Sequence, residues 1–60
     1  MRYVIYFKDL HDKERYAARG IESGFRVTDT LDEAMRFNTA REAYDFAGDH
    51  ELYNARVGVR

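Results

Sequence analysis

Cysteine is absent from this chain of 60 residues, and so is proline. A disulfide framework and a Cys-based zinc module are therefore both excluded, which leaves side-chain packing alone to hold the fold. A chain this short buries only about 60% of the surface that its unfolded form exposes. The expected product is one small domain over residues 1–60, with a thin core and little room to enclose a deep catalytic pocket.

No stretch approaches the roughly 18 apolar residues that a membrane-spanning helix needs. The start, Met1–Arg2–Tyr3–Val4–Ile5–Tyr6–Phe7–Lys8, is too short and too soon charged for an export signal. The expectation is a cytoplasmic protein with no membrane partner.

Arg2 to Lys8 is rich in β-branched and aromatic residues and reads as a strand. Its alternation puts Tyr3, Ile5 and Phe7 on one side as the core face. Arg2, Val4, Tyr6 and Lys8 fall on the other, expected to face solvent. Residues 9–23 admit two readings. Asp9–Leu10–His11–Asp12 is able to cap a helix running to Arg19 and stopping at Gly20. Alternatively Asp9 to Lys13 form a polar turn, Glu14 to Arg19 return as a second strand, and Ile21–Glu22–Ser23–Gly24 turn into a third, Phe25 to Thr28. The hairpin is preferred, since a third or fourth strand gives the sheet enough members to be stable.

Two helix-start signals follow. Thr30–Leu31–Asp32–Glu33 and Thr39–Ala40–Arg41–Glu42 each place glutamate three residues after threonine, a spacing in which the two residues satisfy each other's unpaired amides. The first helix is expected to be short, two turns at most, with Leu31, Ala34 and Met35 on one side. In the second, Ala40, Ala43, Tyr44, Phe46 and Ala47 share the inward arc, opposite Arg41, Glu42, Asp45 and Asp49. Tyr53 to Val59 then reads as a last strand with Ala55, Val57 and Val59 inward. The fold class expected is α+β, a small antiparallel sheet of three or four strands covered on one face by a short helix and one longer amphipathic helix.

Ten lysines and arginines against eleven acids give a net charge of −1, so global charge names no partner. Local charge is uneven. Residues 29–51 hold seven acids against two arginines, and the rest of the chain eight basic residues against four acids. Folded as expected, the molecule has an acidic helical layer and a basic sheet face carrying Arg2, Tyr6, Lys8, Arg26 and Arg56. Capping and solubility account for much of this pattern by themselves, because acids suit helix N-termini and charges keep a small apolar domain dispersed.

Catalytic and ligand-binding constellations are missing. His11 and His50 lie in different segments, and Asp49–His50–Glu51 lacks the i, i+4 pairing of helical metal ligands. The single serine, Ser23, stands outside any Gly-x-Ser-x-Gly context. Gly20, Gly24, Gly48 and Gly58 are isolated and form no phosphate-cradling loop. No catalytic residue, metal or cofactor is expected.

Tyr3–Val4–Ile5 at the start, Thr30–Leu31–Asp32–Glu33–Ala34 followed by Arg36–Phe37, and Thr39 with Glu42–Ala43 together resemble short phage- and prophage-encoded accessory proteins. The likeness covers about half the chain and rests mostly on caps and core positions. It implies a bacterial host's cytoplasm as the setting, and a role in binding a host or defence protein in place of chemistry. The expected function is thus a non-enzymatic protein-binding module. Tyr6, Lys8, Arg26 and Arg56 are the candidate anchors on the sheet, and Asp45 and Asp49 form an alternative surface on the helix. Binding of single-stranded nucleic acid by the basic face is a second reading. Self-association into a homodimer through Val4 and Tyr6 is a third.

Overall fold

The structure, a computed structural model, describes residues 2–20, 22 and 24–60. Strands β1 (Tyr3–Lys8), β2 (Glu14–Arg19) and β3 (Phe25–Thr28) are followed by a 3-10 turn (Leu31–Glu33), helix α1 (Ala40–Asp49) and strand β4 (Arg56–Val59). The strands form one antiparallel four-stranded sheet in the order β3-β2-β1-β4, so the α+β class expected from the sequence holds.

The hairpin wins over the helix at residues 9–19 because Asp9 closes the turn. Its Oδ1 accepts from the amides of His11 and Lys13 at 2.8 and 2.9 Å, while its own amide donates to the Lys13 carbonyl at 3.0 Å. Asp12 takes the left-handed conformation (φ 61°) that a short polar side chain tolerates best after glycine. Ile21 and Ser23, part of the second expected turn, lie outside the described residues.

One face of the sheet carries Ile5 and Ala17, packed under Ala43 and Ala47 of α1. Tyr3, Phe7, Phe25, Phe37, Phe46, Leu52, Ala55 and Val57 surround them. Small alanines bring the helix close to the sheet, and the aromatic rings fill the margins. Tyr44, placed on the inward arc by the sequence, is instead 59% exposed. At 100° per residue it stands at the arc's edge, and Phe46 fills the space on the other side. The last strand starts at Arg56, later than expected, because Leu52 to Ala55 form a turn closed by the Ala55 amide on the Leu52 carbonyl at 3.1 Å.

The opposite face is not open. Val4 is fully buried there with Tyr16 and Ala34, flanked by Tyr6 and Leu31. The 3-10 turn packs on this side, away from α1, and the chain then passes between the diverging ends of β1 and β2. Met35 donates to the Ala17 carbonyl at 2.9 Å, and Phe37 exchanges two backbone hydrogen bonds with Tyr3 at 2.8 and 2.9 Å. Residues 34–37 thus complete the ladder where β1 and β2 stop pairing.

That route explains why the first capping signal yields only one 3-10 turn. Thr30 makes no side-chain cap bond, and Glu33 turns away to pair with Arg26 at 3.1 Å. Ala34 is already extended (φ −65°, ψ 141°), drawn into the ladder. The second signal acts as a cap. Thr39 Oγ1 accepts from the Glu42 amide at 3.2 Å, and Glu42 Oε2 reaches back to the Asn38 amide at 3.2 Å, one residue before the cap position.

Candidate functional site

The sheet face away from α1 is divided by the covering turn. Its β3 side, with Arg26, lies beside Leu31–Glu33, and Arg26 is engaged with Glu33. Its β1 and β4 side carries Tyr6, Lys8 and Arg56, with Tyr6 and Arg56 directly paired across the strands. Three strand spacings, about 14 Å, separate Arg26 on β3 from Arg56 on β4. Tyr6, Lys8 and Arg56 therefore form one surface, and Arg26 belongs to another. Asp45 and Asp49 are exposed on the outer face of α1, in the opposite layer of the molecule.

A polar network absent from the sequence reading organises the β1 and β4 side. Arg60 grips Glu14 with two nitrogens, Nη2 to Oε1 at 2.9 Å and Nε to Oε2 at 3.2 Å, and Tyr16 Oη donates to Glu14 Oε2 at 2.7 Å. Arg60, then Tyr16, hold the Glu14 carboxyl down to about 2. Glu14 in turn raises the pKa of Tyr16 and keeps Arg60 firmly protonated. The Arg60 guanidinium lies over the Tyr6 ring, 4.4 Å from its centroid, in a cation–π contact. Gly58 makes this possible: a Cβ there would meet Tyr6 at 3.0 Å and Arg60 at 3.1 Å. Glu14 and Arg60 stand 46 residues apart, so no local spacing announced the pair.

Arg56 has no carboxylate partner among the described residues, and Lys8 reaches only the exposed Asp12 at 3.6 Å. Beyond Lys8 the β1–β2 turn presents Leu10, which is fully exposed. The same Asp9 contacts that close the turn hold it in place, and Arg15 Nε adds a bond to Asp9 Oδ2 at 3.1 Å. The amides of Lys13 and His11, with Arg15, keep Asp9 below the ordinary carboxylate range. Tyr53, 80% exposed, lies in the turn that leads into β4, whose first residue pairs near this end of β1 because the two strands run antiparallel. The sequence placed Leu10 merely in a polar turn. A lone leucine among Asp9, His11 and Asp12 was the available signal.

The histidines do not come together. His50 borders the core at the end of α1. Its ring stacks on Phe46 at 4.0 Å between centroids, meets Phe25 edge-on at 5.5 Å, and its Nδ1 contacts the Phe46 carbonyl at 3.0 Å. Gly24 (φ 86°) leaves room for the ring, since a Cβ there would lie 2.8 Å from His50 Nε2. Among the described residues no cluster of three or more potential ligands could hold a metal, and no helix is long and apolar enough to cross a membrane.

Comparison with protein-family models, with curated proteins and with solved structures gives no match to this chain.

Proposed function

We propose that this chain is a non-enzymatic protein-binding module of the phage accessory type, which modulates a bacterial host or defence protein in the cytoplasm. It binds with the β1 and β4 side of the sheet. The observation that supports this most is the company Arg56 keeps. An arginine with no carboxylate partner among the described residues sits beside Tyr6 and Lys8, at the end of the sheet where Leu10 and Tyr53 are also exposed. Arginine and tyrosine are the residues most often found as energetic anchors of protein interfaces, and a preformed turn lowers the ordering cost of using Leu10. The partner's matching surface is acidic with an apolar recess.

The placement of Arg60 supports a protein partner over single-stranded nucleic acid. Base stacking needs a free aromatic face, and the Arg60 guanidinium already lies over Tyr6. Val4, which the third reading of the sequence paired with Tyr6 as a homodimer surface, is buried under the chain's own 3-10 turn and crossover and has no surface to offer.

The test is affinity capture from bacterial lysate with and without nuclease, using the parent chain, Arg56→Glu and Leu10→Asp. The expected result is a stoichiometric protein that survives nuclease and is lost with either variant. Both side chains are exposed, so both variants should melt like the parent. An eluate that empties on nuclease treatment transfers the face to nucleic acid. A partner retained by both variants moves the interface to Asp45 and Asp49.

A further inference from the structure

We propose that the molecule docks onto a second copy of itself head to tail, the acidic outer face of α1 seating on the basic face of β1 and β4. Glu42, Asp45 and Asp49 are exposed on α1, and among the described residues none of them has an ion-pair partner. Lys8 and Arg56 are exposed on the opposite layer. The sheet stands between the two sets, so neither can neutralise the other within one chain. Between chains they are complementary, which favours encounter and fixes orientation.

The spacings agree. Asp45 and Asp49 are one helical turn apart, about 6 Å along the axis. Lys8 lies two residues along β1 from Tyr6, the strand partner of Arg56, so the two cations are anchored roughly 8 Å apart, within the flexible reach of lysine and arginine. Tyr44, 59% exposed beside Asp45, supplies an aromatic ring that an incoming arginine can cover. A two-fold dimer would set Arg56 against Arg56 across the sheet faces, a repulsive arrangement. Joining unlike faces is heterologous and leaves one acidic and one basic face free at the ends, so the assembly grows as a chain. A net charge of −1 does little to keep copies apart.

Sedimentation velocity on the full chain tests this. At low salt the weight-average mass is expected to climb with concentration, and at roughly 0.5 M salt, where exposed charges are screened within a few ångströms, it returns to the monomer. Asp45→Asn with Asp49→Asn neutralises two of the three acids of the acidic face, and Lys8→Gln with Arg56→Gln neutralises the basic one. Each double variant alone should associate about tenfold more weakly or not at all. Mixed in equal amounts they should form a one-to-one pair and nothing larger, because each retains one of the two faces. All four side chains are exposed, so matching melting curves confirm that the folds are intact. A monomer at every concentration in low salt overturns the proposal. So does association that ignores salt or survives both double variants, which would indicate pairing through the edge strands. A monomer that still captures a host protein overturns self-docking alone and leaves the partner reading in place.

Discussion

The two faces of the sheet are closed by different means. Under α1, Ile5, Ala17, Ala43 and Ala47 are ringed by aromatic side chains, a core held by apolar area that places few demands on direction. On the other side Val4, Tyr16 and Ala34 make a smaller cluster, rimmed by the directional pairs Arg60–Glu14 and Arg26–Glu33. A short chain that has spent its one α-helix on the first face covers the second with a 3-10 turn, an extended crossover and ion-paired side chains. The cover stops short of Lys8 and Arg56. In so small a domain the less completely covered face keeps an exposed margin, here Lys8 and Arg56.

Substitution of the two buried aliphatic neighbours on β1 tests this contrast most severely. Ile5→Ala is expected to cost roughly 2–5 kcal/mol, enough to unfold much of a domain this small. Val4→Ala, with fewer carbons lost from a smaller cluster, is expected to cost about 2 kcal/mol. Chemical denaturation reads both. A cost near zero for Val4→Ala would mean that the second face is not a core at all.

The two threonines of the capping signals differ in the same way. Thr39→Ala removes a bond actually made to the Glu42 amide and is expected to cost about 1 kcal/mol. Thr30→Ala, where no cap bond exists, should change thermal stability far less. Equal losses would restore a true capping box at the start of the 3-10 turn.

Acid separates the faces by chemistry. Glu14 titrates at about 2 in the folded chain against an ordinary 4.5, so its contribution to stability is complete above pH 4.5 and is lost as the pH falls towards 2. The buried residues under α1, Ile5, Ala17, Ala43 and Ala47, carry no ionisable group. Arg60→Ala should return the Glu14 titration, followed by NMR, towards 4.5 and cost about 1 kcal/mol at neutral pH, since both partners are partly exposed. An unmoved titration would place the cause of the low value elsewhere.

Much of this was legible in the sequence where the determining contact is local. Alternation over Tyr3 to Phe7 named the core face of β1, because successive side chains must point to opposite sides. Threonine 39 and glutamate 42 marked the helix start, because the amide that needs an acceptor lies three residues from the one that supplies it. The same pattern at Thr30 misled, since Glu33 had a competing arginine on β3 that spacing does not reveal. The candidate residues Tyr6, Lys8 and Arg56 were found from alternation and charge, while the grip of Arg60 on Glu14 and the fully exposed Leu10 were not.

By itself, then, the sequence determined β1, the helix and the side of β1 that faces α1, all of which follow from hydrogen bonds and periodicities spanning a few residues, while it left residues 14–19 open between strand and helix. Tertiary structure alone decided that Val4 is buried, that Arg26 parts from Arg56, and that one end of the sheet is left uncovered. Those outcomes depend on where residues 29–37 cross the sheet, and that path is set by backbone bonds to Tyr3 and Ala17, residues remote in the chain and adjacent only once the strands have paired.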